Sequence, residues 1–66
     1  MSNEQLQEPG LYTVDNFCAY HQISRAVFYR IVKEGNGPKT FKIGRRTYIT
    51  KEAAAEWRHR MEVAAA

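Results

Sequence analysis

Ser24-Arg25-Ala26-Val27-Phe28-Tyr29-Arg30-Ile31-Val32-Lys33-Glu34-Gly35, followed by Phe41-Lys42-Ile43-Gly44-Arg45-Arg46, joins a capped helix to a basic hairpin. A side-chain oxygen on Ser24 suits an unsatisfied amide of a first helical turn, and Gly35 stands where a helix takes a left-handed terminating residue. A helix is therefore bounded at both ends. Within it Phe28, Ile31 and Val32 recur at i, i+3, i+4 as an apolar stripe, which leaves Arg25, Ala26, Tyr29, Arg30 and Lys33 on the outward side. One face is built to bury and the other is cationic.

Upstream of this segment, Thr13 is a good cap for an earlier helix over 14–21, because Val14, Phe17, Cys18 and His21 share a face and Asp15 lies in the positive first turn. Gln22-Ile23 leaves room only for a tight turn, with Ile23 as its apolar plug, so the two helices form a short-turn pair of the helix-turn-helix kind. After Gly35, Asn36-Gly37-Pro38 forbids helix and redirects the chain. Phe41-Lys42-Ile43 alternates as a half-buried strand, Gly44-Arg45-Arg46 supplies a turn, and Thr47-Tyr48-Ile49 is rich in strand formers. The pattern predicts a two-stranded hairpin, or wing, whose register leaves open which of Tyr48 and Ile49 points inward. Thr50 caps a third helix with Glu52 in its first turn and an inward stripe of Ala54, Trp57 and Met61; Trp57 is the largest expected core side chain. The fold class is α+β: a small winged helix-turn-helix, with three helices and a two-stranded wing between the second and third. Residues 1–10, polar and punctuated by Pro9-Gly10, read as a loose arm, 11–62 as the domain, and 63–66 as a tail or a continuation of the last helix.

Sixty-six residues allow one small domain and leave no room for a large catalytic cleft. One cysteine, Cys18, cannot form an internal disulfide, and with His21 and His59 it has no zinc-site spacing. Cys18 reads as a small buried hydrophobe, and the two histidines read as surface or helix-end residues. No nucleophile, acid–base pair or metal cluster emerges, so no enzyme, no catalytic residue, no metal and no cofactor is expected. No apolar run suggests a leader or a membrane span, and a cytoplasmic, nucleoid-associated protein is expected. Net charge is +3, but residues 25–48 hold seven Lys and Arg against Glu34 alone, a local +6, while the remainder sums to −3. A basic middle in an acidic frame points to localised contact with a polyanion.

With these pieces placed, the chain resembles the AlpA-type and excisionase-type winged helix-turn-helix family of phage and mobile-element regulators, related to the DNA-binding part of MerR-type proteins. The resemblance rests on Leu11-Tyr12-Thr13, Ile23-Ser24-Arg25 with Phe28-Tyr29-Arg30, Glu34-Gly35 with Pro38, Lys42-Ile43-Gly44-Arg45-Arg46, and Trp57, in that order over roughly residues 11–60. It departs from the family's usual pattern at Ala26-Val27, where small hydroxyl residues are common, and at Asn36-Gly37, where a bulkier residue often precedes the proline. The resemblance implies a double-stranded DNA partner, an integrase or RNA polymerase as protein partner, and a monomer in solution that binds DNA in side-by-side copies. It also implies a role as an excisionase or as a small regulator of transcription.

On that reading the second helix enters the major groove, where base edges distinguish all four pairs. Arg25 near the helix start is the candidate for a bidentate guanine contact, and Ala26 for a thymine methyl. Tyr29, Arg30 and Lys33 lie further along, where phosphate contact is at least as well suited, and Ser24 sits at a helix end whose amides suit a phosphate. Arg45 and Arg46 at the wing reach the flanking minor groove or backbone, supported by Lys42, with Thr47 beside them. Each has an ordinary alternative: scattered cations can simply be a solvated face, and Tyr29 can pack against the first helix with only its hydroxyl outside. Two competing functions follow. One is an adaptor that keeps the fold but holds an integrase or regulator without reading DNA. The other is RNA binding, which is weaker because the aromatics fall mostly on apolar stripes.

Overall fold

In the computed structural model, which describes residues 8–65, the chain runs β1 (Leu11–Thr13), α1 (Val14–His21), α2 (Arg25–Lys33), β2 (Phe41–Ile43), β3 (Arg46–Thr50) and α3 (Lys51–Ala65). Each helix begins where a hydroxyl can cap it. Thr13 Oγ1 accepts from the Asn16 amide at 3.1 Å, Ser24 Oγ from Val27 at 3.1 Å, and Thr50 Oγ1 from Ala53 at 3.0 Å.

The two helices of the short-turn pair end in the same way. After α2, Gly35 (φ +82°) lets its own amide reach the Val32 carbonyl at 3.0 Å and the Asn36 amide reach Ile31 at 2.8 Å. After α1, Gln22 takes the left-handed conformation (φ 59°, ψ 42°), its amide bonding Ala19 and that of Ile23 bonding Cys18 at 3.0 Å. This lets Ile23 pack against the core, as the plug the turn requires.

The two-stranded wing between α2 and α3 is present as β2 and β3, and a strand that was not expected joins its sheet. The sheet has three antiparallel strands in the order β1-β3-β2, because Leu11-Tyr12-Thr13 pairs with Thr50, Ile49 and Tyr48 before the chain turns into α1. On β3's other side Phe41, Lys42 and Ile43 face Tyr48, Thr47 and Arg46, so the connecting turn is Gly44-Arg45, with Gly44 at φ +62°. The register settles the open question of orientation: Ile49 points inward opposite Tyr12, both fully enclosed, and Tyr48 lies on the outer face beside Phe41. Among the described residues, nothing packs over that outer face. Phe41 and Ile43 are consequently 41% and 57% exposed, not half-buried as their alternation suggested, since β2 is an edge strand with no layer from the described residues over that side.

The core lies between the sheet's inner face and the three helices: Tyr12, Val14, Phe17, Cys18, Phe28, Ile49, Ala54 and Trp57. Phe17 is its hub, with ring centroids of Tyr12, Phe28 and Trp57 at 5.5, 5.4 and 5.2 Å. Trp57 is buried as read, but Val32 is 37% exposed and not part of the core stripe; it covers Gly37, where a Cβ would come within 2.7 Å of Val32 Cγ2. His21 is a helix-end residue, the last of α1, but it does not lie on the surface. It is half-buried against Phe17 (centroids 4.2 Å), one ring nitrogen bonded to the Phe17 carbonyl at 2.8 Å and the other taking a 2.9 Å bond from Arg58.

Of the arm expected over 1–10, residues 1–7 lie outside the described residues, whereas Glu8 is anchored. Its carboxylate accepts from Tyr12 Oη at 2.7 Å and pairs with Arg58 at 3.2 Å, and the Gly10 carbonyl accepts from the Lys51 amide at 3.0 Å. At the other end, the stretch read as a possible tail continues α3 as far as Ala65.

Candidate nucleic-acid interface

The outward arc of α2 follows from helix geometry. At about 100° per residue, Arg25, Tyr29, Lys33, Ala26 and Arg30 occupy one contiguous sector, and all five are exposed. Phe28, enclosed on the opposite side, fixes which way that sector faces. Tyr29 is 50% exposed, its ring edge-on to Phe28 at 5.3 Å, so its aromatic body and not only its hydroxyl meets solvent.

The wing comes to the same place. Thr13, Val14, Asp15, Arg25, Tyr29, Arg45, Arg46 and Thr47 line a single open hollow of roughly 270 Å³ between the start of α1, the first turns of α2 and the β2–β3 turn. Five of the residues expected at a binding face, Arg25, Tyr29, Arg45, Arg46 and Thr47, are thus brought together from segments separated by some sixteen residues of chain. Ser24, Ala26, Arg30, Lys33 and Lys42 lie outside the hollow; the first four continue the exposed surface of α2, and Lys42 stands opposite Thr47 on β2. Ser24 Oγ is committed to the Val27 amide as a cap.

Electrostatically the hollow is cationic with one insertion of the opposite sign. Arg25 Nη1 donates to Asp15 Oδ1 at 2.7 Å, and its Cζ lies 5.9 Å from the Tyr29 ring centroid. The Tyr29 hydroxyl first, and Asp15 second, hold the Arg25 guanidinium above its ordinary pKa. Asp15 was legible only as a helix-dipole residue; a contact between side chains ten apart across two helices leaves no periodic signal. Among the described residues, Arg30, Lys33, Lys42, Arg45 and Arg46 form no ion pair. Of these, Arg45 and Arg46 border the hollow, where an exposed cation can meet an external polyanion.

A family model for a helix-turn-helix domain matches residues 11–61, from β1 to the last turns of α3. The chain belongs to the helix-turn-helix domain family. Neither a curated protein nor a solved structure matches it. Membership supports binding to double-stranded DNA, and helix-turn-helix domains characteristically place the second helix of the pair in the major groove, its first residues toward base edges. In this helix-turn-helix domain the second helix of the pair is α2, which begins with Arg25 and Ala26.

Domains of this family are typically non-enzymatic. Cys18 suits that description: its thiol is buried, pushed above its ordinary pKa by desolvation, and turned toward the Ser24 carbonyl at 3.8 Å. Among the described residues no three His, Cys, Asp or Glu side chains gather as metal ligands, and no helix is long and apolar enough to cross a membrane.

Proposed function

We propose that the protein reads duplex DNA sequence-specifically, with α2 in the major groove and the β2–β3 turn on the flanking minor groove or backbone. The observation that carries this reading is the shared hollow: Arg25 and Tyr29 of the helix and Arg45, Arg46 and Thr47 of the wing border one concavity, so one duplex meets both. Arg25 takes a guanine edge and Ala26 a thymine methyl. Tyr29, Arg30, Lys33 and the amides following Ser24 meet phosphates and set the register, while Arg45, Arg46 and Thr47, supported by Lys42, hold the flank.

A single module of this size buries only about 600–1,000 Å² on DNA, too little for tight specific binding by one copy. The AlpA-type and excisionase-type resemblance implies that several copies act side by side on repeated sites, in a heterologous arrangement that needs no dimer in solution. The AlpA-type and excisionase-type resemblance extends the reading to a phage or mobile-element factor that directs excision with an integrase or controls a promoter.

Footprinting on the intergenic DNA next to the gene, followed by titration of the protected duplex with wild type, Arg25→Ala and Arg45→Ala, tests this. Both variants are expected to bind more weakly, Arg25→Ala also losing preference at one base pair. Unchanged binding and unchanged biological function in both variants would overturn it in favour of an adaptor.

A further inference from the structure

We propose that Asp15 is a specificity-determining positioning residue, which holds the Arg25 guanidinium in the orientation that reads a base and away from the phosphates. The inference rests on the reading of α2 as the groove helix.

The pair is poorly explained by stability. The two side chains are 59% and 71% exposed, and exposed ion pairs contribute little because water screens them and two side chains must be ordered. Nor does it serve phosphate binding, since Asp15 puts a negative charge inside the hollow where Arg45 and Arg46 gather. What the contact does accomplish is geometric. A guanidinium carries five N–H donors; Asp15 occupies one on Nη1, which leaves four for the two acceptors of a guanine edge.

Tyr29 forms the second wall, its ring centroid 5.9 Å from Arg25 Cζ. Held from two sides, the fork is oriented before DNA arrives, and less freedom is lost on contact. With Asp15 removed, the flexible side chain is free to swing to the nearest phosphate, a contact that carries no sequence information. Loss of the carboxylate therefore has two opposite effects. Preference at the base pair read by Arg25 flattens, while affinity for random duplex holds or rises because a repulsive charge has gone.

The test begins with selection from randomised duplexes by wild type and Arg25→Ala, which identifies the base pair that Arg25 reads. Dissociation constants for the selected duplex, for its single-base-pair variant at that position and for a random duplex are then measured at one fixed salt concentration. The proteins compared are wild type, Asp15→Ala and Asp15→Asn, each first shown to unfold cooperatively. Wild type is expected to discriminate about tenfold or more at that position, and Asp15→Ala only about two- to threefold, with random-duplex binding equal or tighter. Asp15→Asn, which keeps an acceptor oxygen without the charge, is expected to fall between them. Wild-type discrimination in Asp15→Ala, or an equal loss of affinity for all three duplexes, overturns the role given to Asp15 and leaves the groove-helix reading standing. A wild-type protein that selects no sequence defeats that reading itself.

Discussion

The indole Nε1–H of Trp57 donates to the Asn36 carbonyl at 2.9 Å, so the central side chain of α3 also pins the loop that ends the groove helix. Arg60 reinforces it one turn later, its Nη2 donating to the Gly37 carbonyl at 2.9 Å. The carbonyls of the exposed Asn36 and the half-buried Gly37 are thereby tied to side chains of α3. Trp57→Phe keeps an aromatic ring against Phe17 but removes this donor and some volume. Urea unfolding is expected to show a loss of about 1–3 kcal/mol, and the Asn36 and Gly37 amides to exchange faster with solvent.

Gly37 is packed where the sequence offered only a breaker. A Cβ there meets Val32 Cγ2 at 2.7 Å, and also Val32 Cα and N at 3.0 and 3.2 Å, and the last two belong to backbone that cannot step aside. Gly37→Ala is expected to destabilise by about 1–3 kcal/mol. Combining it with Val32→Ala should recover only part of the loss relative to Val32→Ala alone, because the backbone contacts persist; full recovery would mean that the γ-methyl was the whole obstacle.

Gln22 holds a left-handed conformation at φ 59° in the interhelical turn, a region that costs a residue with a Cβ more than it costs glycine. Gln22→Gly is accordingly expected to stabilise the domain, by about 0.5–1 kcal/mol. Thermal unfolding reads the sign directly, and an unchanged or lower midpoint would show that glycine's greater freedom in the unfolded chain cancels the relief.

How much of this was legible follows from the range of each signal. Caps and stops are local, so Thr13, Ser24, Thr50 and Gly35 bounded the helices correctly. β1 was not found, because three residues are too few to display alternation and its pairing with β3 spans nearly forty positions. The alternation of Phe41 and Ile43 misled for a related reason: a period of two identifies a strand but does not tell whether a layer covers its apolar side. The outward residues of α2 could be listed from its period, and whether the wing faced the same way could not. That juxtaposition, and Asp15 on Arg25, exist only once α1, α2 and the sheet are packed together.

Glu8 makes stability depend on acid. The Tyr12 hydroxyl foremost, and Arg58 with it, hold its carboxyl below the ordinary carboxylate pKa. A depressed folded-state value means that the stabilisation is fully present above the unfolded value of about 4.3 and is lost as pH falls below it through the folded value. At the other extreme, burial and the bond to Glu8 raise the Tyr12 phenol, so the unfolded chain ionises first and stability falls again above about pH 10. Urea midpoints between pH 2 and 7 should decline more steeply for wild type than for Glu8→Gln, which has no charge to lose. Parallel acid limbs would show that Glu8 is not the linked group.

Salt dependence weighs the wing against the helix. Contact with four to six phosphates gives a slope of log affinity against log salt of about −4 to −5. Arg45 and Arg46 enter the hollow from the turn without a carboxylate partner among the described residues, so replacing both by alanine removes up to two phosphate neutralisations and no internal pair. The slope is expected to become shallower by about 2, with base preference retained, because the residue assigned to base reading, Arg25, is untouched. Arg25→Ala is expected to do the reverse, losing preference at one base pair with little change in slope. Anisotropy titrations at four or more salt concentrations separate the two variants, and an unchanged slope in the wing variant would remove Arg45 and Arg46 from the interface.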